Sequence, residues 1–117
     1  MIEVMLSAAL SPLVGDRVFT DAAPYGTATP YITYQQVGGR GVSFLDGTAA
    51  DLRNARIQVN VWSAKRLEAN QIALQVQGAL RAAAGLQVQP LGEFSARHEP
   101  ELKLYGTQQD FDCWGAR

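Results

Sequence analysis

The sequence predicts an α+β fold, a mostly antiparallel sheet of about four to five strands with two helices packed on it. Two segments, residues 2–11 and 64–84, repeat apolar residues at helical spacing. Residues 56–63 alternate apolar and polar side chains, which is the pattern of a half-buried strand. The chain has 117 residues, the length of one ordinary domain, and it carries no internal repeat or linker. Residues 1–117 are therefore expected to form a single domain.

The first helix is predicted by apolar residues near the N-terminus, namely Ile2, Met5, Leu6, Ala9 and Leu13. It is expected to end at Ser11, because the residue before a proline resists the α-helical conformation. The segment has no basic start and carries an early acidic residue, Glu3. We therefore interpret it as an amphipathic helix and not as a signal peptide.

The first strands are predicted on either side of a loop that is rich in glycine, proline and small residues. A short strand is expected around residues 17–19, followed by the loop at 20–30. Residues 31–37 are aromatic and β-branched, which favours a strand with Ile32 and Tyr34 on one face and Tyr31 and Thr33 on the other.

Glycines at positions 38, 39 and 41 are expected to break this strand and begin a long connection over residues 38–53. The next strand places Ile57, Val59 and Val61 on its apolar face. The segments 31–37 and 54–63 are expected to pair in the antiparallel direction.

The second helix is predicted by a stripe of apolar residues at i, i+3, i+4 and i+7 spacing: Ala69, Ile72, Ala73, Val76, Leu80 and Ala83. Ser63 is the predicted N-cap, and Gly85 the predicted left-handed residue after the C-terminus. Leu67 and Leu74 lie off the stripe, as ordinary exposed residues or as a second contact surface.

The C-terminal part is expected to be β-structure. Residues 86–89 are predicted to form a short strand. Residues 102–105 and 108–114 are predicted to form a hairpin that turns at Gly106-Thr107.

Composition argues against several classes of partner. Charged residues make up only 18% of the chain, with 10 basic and 11 acidic side chains and no basic stripe, so nucleic acid is not expected as the main partner. A low charge fraction is consistent with a chain that hides surface in an assembly. The single cysteine, Cys113, excludes an internal disulfide and favours a reducing compartment. No apolar run is long enough to span a membrane.

Candidate catalytic groups are few and scattered. His98, with Glu99 and Glu101 near it, lacks the three or four ligands that a metal site needs, so a solvated histidine is the favoured interpretation. Asp110 and Asp112 share one strand face, and a solvated face explains them better than acid–base catalysis.

Two further chemical interpretations are weak. Cys113 and His98 are a minimal nucleophile and base, but no cation near Cys113 lowers its pKa, which favours a buried structural thiol. The glycines around Arg40 match neither phosphate-binding fingerprint. We expect no catalytic residue, no cofactor and no metal, and hence no enzyme.

Several segments taken together carry a family resemblance. They are residues 15–24 (GDRVFTDAAP), 29–37 (TPYITYQQV), 55–63 (ARIQVNVWS) and the helix that follows, through Leu80. The chain resembles the tail-completion, or tail-terminator, proteins of long-tailed phages and prophages. The likeness spans roughly residues 1–89 and is looser from Pro90 onward, although a final strand such as 109–114 (QDFDCW) suits the family.

The resemblance implies a structural protein of the virion tail that assembles in the host cytoplasm. It implies a ring, commonly of six copies, that caps the tail tube and joins it to the head connector, with DNA passing transiently through the lumen. The expected partners are therefore further copies of the chain, the tail-tube protein and the head-connector or stopper protein, with no membrane.

The expected contact residues are Gly38, Gly39, Arg40 and Gly41 of the long connection, together with Tyr25, Tyr31 and Trp62. An ordinary disordered loop is the equal alternative for the connection. Two other functions stay open: a small-molecule-binding or regulatory domain with a pocket lined by Tyr31, Tyr34 and Trp62, and a small hydrolase using Cys113 and His98.

Overall fold

A computed structural model of the chain describes residues 1–47 and 50–117 and shows two helices packed on one face of a six-stranded sheet. The predicted α+β class is confirmed, with one strand more than expected. In chain order the elements are α1 (Ile2–Leu10), a 3-10 turn (Ser11–Leu13), β1 (Val18–Thr20), β2 (Tyr31–Gly38), β3 (Leu52–Ser63), α2 (Arg66–Arg81), β4 (Leu86–Pro90), β5 (Ser95–Glu99) and β6 (Leu104–Ala116).

The sheet is built around β3 and β6, which pair antiparallel along their whole length, from Leu52↔Ala116 to Ser63↔Tyr105. β2 pairs with β3 in the predicted antiparallel direction, and β1 adds to β2 as the single parallel strand among the described pairings. On the far side of β6, β4 pairs with one half of that strand and β5 with the other. The order is therefore β1-β2-β3-β6, followed by β4 and β5 end to end.

α1 packs on the sheet through Ile2, Leu6 and Leu10, which are fully buried and recur every fourth residue. It ends one residue before the predicted position, where Pro12 tightens the chain into the 3-10 turn. Arg53 of β3 reaches Glu3 at 3.1 Å and ties the start of the helix to the sheet. Burial acts to raise the pKa of Glu3, but the backbone and Arg53 hydrogen bonds outweigh it and leave the pKa below its usual value.

α2 buries the predicted stripe: Ala69, Ile72, Ala73, Val76 and Leu80 are buried, and Ala83 is partly buried against the core. Its ends differ from the predicted 64–84, because the helix covers only Arg66–Arg81. The N-cap of α2 is Lys65, which has an extended backbone, so the prediction that Ser63 is the N-cap was wrong. Ser63 stays in β3, where its hydroxyl accepts the Lys65 N–H at 3.1 Å and donates to Glu68 at 2.6 Å.

Gly85 has the predicted left-handed backbone, with φ of 81°, but it does not end α2. The helix stops at Arg81 with Ala82 as its C-cap, and Gly85 lies directly before β4. A side chain there would also crowd Met5, whose Sδ and Cε lie 3.0 Å from the position of a Cβ. The glycine therefore serves the entry into β4 beside α1.

The predicted C-terminal hairpin with a turn at Gly106-Thr107 was wrong. β6 runs without interruption through both residues, and the hairpin is formed instead by β5 and β6, with Lys103 in the left-handed conformation at the turn. Gly106 is required for a different reason. A Cβ at Gly106 would lie 2.6 Å from two ring carbons of Trp62 on the paired strand. The glycine makes room for the indole and does not mark a turn.

Replacing Gly106 with alanine is expected to destabilise the protein by about 1–3 kcal/mol, because the new methyl group overlaps the Trp62 ring. Gly78 is the matched control. It lies in α2, where a Cβ would meet no other atom within 4 Å, so Gly78→Ala is expected to stabilise by about 0.5–1 kcal/mol. Urea unfolding followed by circular dichroism measures both changes. Equal stability of the two variants would contradict the packing described for Trp62.

Candidate assembly interface

The helices cover one face of the sheet, and alternate residues of every strand point to the other. We call this second surface the open face. Its central members are Tyr31, Thr33 and Gln35 of β2, then Arg56, Gln58, Asn60 and Trp62 of β3, then Gln108, Asp110, Asp112 and Trp114 of β6. No described helix packs on it, and most of these side chains are half-buried or exposed. It is rich in amides and nearly balanced in charge.

A groove of about 360 Å³ crosses the open face near the start of β2. Tyr31 and Trp62, which are cross-strand partners, both line it together with polar residues of β3 and β6. Tyr34 does not, because it lies on the helix-covered face, where its hydroxyl accepts a hydrogen bond from Thr20 at 2.9 Å. The three aromatic residues expected to form a ligand pocket are therefore divided between the two faces.

The aromatic residues predicted as contacts differ in accessibility. Tyr25 lies in the loop before β2 and is 96% exposed. Tyr31 is half-buried, meets Phe19 edge to face at 6.3 Å, and has its pKa raised by burial. Trp62 is also half-buried, with its ring over Gly106. Of these three residues, only Tyr25 presents its whole ring to an incoming surface.

The long connection between β2 and β3, residues 39–51, is called the arm. Its residues Thr48 and Ala49, which belong to the long connection predicted over residues 38–53, lie outside the described residues. The base of the arm is held by Asn54, whose side-chain oxygen accepts the Arg40 N–H at 2.8 Å. The Asn54 amide in turn donates to Asp112 at 2.7 Å and to the Cys113 carbonyl at 3.1 Å. The start of the arm is therefore fixed to the sheet.

Glycine is needed at the base of the arm. Gly38 and Gly39 have φ of 146° and 147°, in the region that side chains disfavour. A Cβ on Gly39 would also lie 2.6 Å from the backbone oxygen of Asn54. The predicted glycine segment is thus a shaped exit from the sheet, and not a phosphate cradle.

Sequence reasoning included the tip of the arm in the long connection over residues 38–53 but did not single out its apolar residues. Val42, Phe44 and Leu45, here called the apolar tip, are exposed, and Leu45 is as accessible as in an extended chain. Asp46-Gly47 directly follows them, a turn signal that marks the preceding residues as displayed on a loop. Large apolar side chains in such a position are the signal that could have identified this exposed apolar surface.

A second concave surface, here called the end pocket, lies at the start of β2 and β6. Its volume is about 700 Å³, and it is lined mainly by small and apolar residues of the 23–31 loop, by Ala64 and by Leu102 and Leu104. Lys103 is the one charged residue among the described lining residues. Tyr25 stands at this pocket, so this predicted contact residue belongs to it.

The candidate catalytic side chains have structural partners. Asp110 forms an ion pair with Arg56 at 2.8 Å, and the Asp112 carboxylate accepts a hydrogen bond from the Asn54 side-chain amide. Their predicted position on one solvated face of a strand is confirmed. His98 lies on β5 and stacks on Tyr105 with 4.7 Å between ring centroids.

The Cys113 thiol is buried, as predicted. Burial raises its pKa to about 12, and the neighbouring Asp112 carboxylate adds to the shift. His98 pairs with Tyr105, eight residues from Cys113 along β6, which separates the two by roughly 26 Å at the rise of an extended strand. The proposed nucleophile and base therefore cannot act together.

Two kinds of site are absent from residues 1–47 and 50–117. Nowhere in these ranges do three or more histidine, cysteine or acidic side chains gather as metal ligands. Within the same ranges no helix combines the length and the apolarity needed to cross a membrane.

Comparison with known proteins gives one family and one fold. The chain matches the family described as tail completion protein gp17 over residues 3–115. A chain from a solved structure described as the virion of native gene transfer agent (GTA) particle shares the fold, with a TM-score of 0.66. That match is 23% identical and covers 94% of this chain and 86% of the other. No curated protein matches the sequence.

The buried thiol leads to a pH dependence of stability. The pKa of Cys113 rises from 9.0 to about 12 on folding. Between these values the folded protein keeps a proton that the unfolded chain has lost. Stability is therefore expected to be unaffected below pH 9 and to fall as pH rises above it, by about 1.4 kcal/mol per pH unit from this group.

The measurement is urea unfolding between pH 8 and 11 for the natural chain and for Cys113→Ala. Every other side chain is the same in the two proteins, so the difference between the two stability curves isolates the contribution of the Cys113 thiol. Parallel curves across this range would show that burial does not hold the proton on Cys113.

Proposed function

The chain belongs to the tail completion protein gp17 family, and we propose that it works as a ring of identical copies at the end of a phage-type tail. Its function is structural, as a tail-completion protein of the virion tail. The observation that carries this is the extent of the match, which spans residues 3–115 and so includes both helices and nearly all of the sheet. The proposal includes assembly of the chain in the host cytoplasm before it enters the tail.

Exposed apolar surface supports assembly with other proteins. Leu67 and Leu74 are 76% and 57% exposed on the outer side of α2, one above the other at a spacing of seven residues. The apolar tip and Tyr25 add exposed apolar area at the two ends of the molecule. A protein of this size that worked alone would keep such groups scattered, whereas an assembly covers them.

We place six copies in the ring, with the tail-tube protein on one side and the head-connector protein on the other. A ring requires heterologous contacts, in which one surface of each copy meets a different surface of the next. The chain offers several distinct surfaces for this purpose: the open face, the outer side of α2, and the two ends of the sheet.

The open face suits a surface past which DNA moves. Its amides carry no charge, its Arg56 and Asp110 neutralise each other at 2.8 Å, and Asp112 adds a carboxylate. Tight binding to DNA depends on unpaired positive charge that displaces counterions from phosphates. An amide-rich surface with no excess of positive charge would therefore let DNA pass without holding it.

The proposal holds that the chain has no catalytic turnover. The side chains that suggested chemistry are committed to structure: Cys113 is buried, Asp110 is in an ion pair and His98 is stacked on Tyr105. Their roles are explained by packing and pairing within the sheet.

The test is to polymerise purified tail-tube protein in the presence and absence of the purified chain. Tubes are expected to stop growing and to carry a ring at one end when the chain is present. Electron microscopy measures the length distribution and the end density. Tubes that grow equally long with no added density would contradict the proposed capping role.

Alanine at His98 and, separately, at Asp110 is expected to leave this capping intact. Losing the exposed Asp110–Arg56 pair costs about 0–1 kcal/mol of stability, which the fold tolerates. The measurement is the same capping assay with each variant, after circular dichroism has shown that it is folded. A folded His98→Ala ring that caps tubes but yields no infectious particles would reveal a chemical role for the imidazole.

A further inference from the structure

The described chain has an exposed apolar projection and an uncovered apolar concavity. The projection is the apolar tip, Val42, Phe44 and Leu45, beyond the last residue of β2. The concavity is the end pocket of about 700 Å³. Its size falls in the range that encloses a drug-sized molecule, so it can accept two neighbouring large side chains.

The two surfaces lie at opposite ends of the sheet. The arm joins the end of β2 to the start of β3, and the end pocket includes Tyr31 at the start of β2 and Ala64 just after the end of β3. The eleven steps from Leu52 to Ser63 span roughly 36 Å at the rise of an extended strand. The apolar tip therefore cannot reach the end pocket of its own chain.

Charge is complementary between the two surfaces. The arm carries Arg40, Asp46 and Asp51, one positive and two negative side chains and so a net charge of −1, and the described lining of the end pocket carries one charged side chain, Lys103. Lys103 is exposed on the turn between β5 and β6. Opposite net charges beside apolar surfaces favour docking of an arm on a pocket and disfavour the pairing of two pockets or two arms.

The arm also leaves the sheet in a defined direction. Asn54 accepts the Arg40 N–H at 2.8 Å and is itself held by Asp112 and the Cys113 carbonyl. Gly39 lies against the Asn54 backbone, where a side chain would not fit. A projection anchored in this way loses less conformational freedom on docking than a free loop would.

We infer that the apolar tip of one copy occupies the end pocket of the next copy. Each chain then gives one tip and receives one, so a single heterologous contact repeated around a closed ring covers both surfaces in every copy. Without this contact, two different foreign partners would be needed to cover the apolar tip and the end pocket. The inference rests on the proposed ring and names the contact that closes it.

The test introduces Leu45→Cys and Ala64→Cys together and treats assembled tails with a short bis-maleimide. Because the two positions of one chain are separated by the length of β3, every cross-link joins two copies. The natural Cys113 can remain, since its thiol is buried and protonated. We expect a ladder of cross-linked oligomers on a denaturing gel.

The matched control combines Leu45→Cys with Leu91→Cys, an exposed position just after β4 that belongs to none of the proposed contact surfaces. The tip-to-pocket pair is expected to cross-link at least about tenfold faster than this control, because docking holds its thiols at a high effective concentration. Equal rates would overturn the inference, as would cross-linking of the apolar tip to a different protein.

Failure of the two proposals can be distinguished by antibody labelling of the tails. Tails labelled at one end that give no tip-to-pocket ladder would refute the contact and leave the capping ring standing. Tails that contain no copy of the chain would refute both. A ladder in end-labelled tails supports both.

Discussion

The full-length antiparallel pairing of β3 with β6 is the constraint on which the rest of this protein depends. Twelve residue pairs, from Leu52↔Ala116 to Ser63↔Tyr105, fix which side chains share a face. Because a shift of one residue would turn every side chain to the other face, this register determines both surfaces of the sheet at once. One surface receives α1 and α2 and becomes the core, and the other becomes the open face.

The same register explains the polar groups inside the structure. Asn54 and Asp112, both on the open face, lie near enough for a hydrogen bond of 2.7 Å, and Arg56, which is opposite Asp112 in the register, reaches diagonally to Asp110. Gly106 faces Trp62, so the smallest residue lies under the largest ring. No buried side-chain nitrogen or oxygen in the described residues lacks a hydrogen-bond partner. The acidic residues of β6 are thus parts of the sheet, which accounts for their spacing without catalysis.

The proposed contacts lie at the two ends of the paired strands. One end continues into the arm, whose base is fixed by Asn54, and the other opens into the end pocket. Membership in the tail completion protein gp17 family gives these surfaces a context, since tail completion is a task of assembly. In the proposed ring the sheet would act as a rigid unit, because each contact between its two ends would transmit the same geometry to the next copy.

The sequence by itself determined the fold class, both helices and strands β2 and β3, because their residue patterns are strong and local. The buried stripe of α2 and the alternation of Ile57, Val59 and Val61 are visible without any partner segment. The resemblance to tail-completion proteins was likewise carried by segments within the first two thirds of the chain. The contact residues stay a prediction, and the structure places Tyr25 at the end pocket and the glycines at the base of the arm.

Only the tertiary structure decided what depends on a distant neighbour. Gly106 is a residue type that is common in turns, but it lies within β6. A glycine is required there because the ring of Trp62, on the paired strand, occupies the space that a side chain would fill. Ser63 has the chemistry of a helix cap but ends β3, because pairing with Tyr105 holds its backbone extended. The end pocket joins residues from three separate parts of the chain. Such features arise from packing between segments that are distant in the sequence. A local residue pattern does not specify the segment against which it will pack.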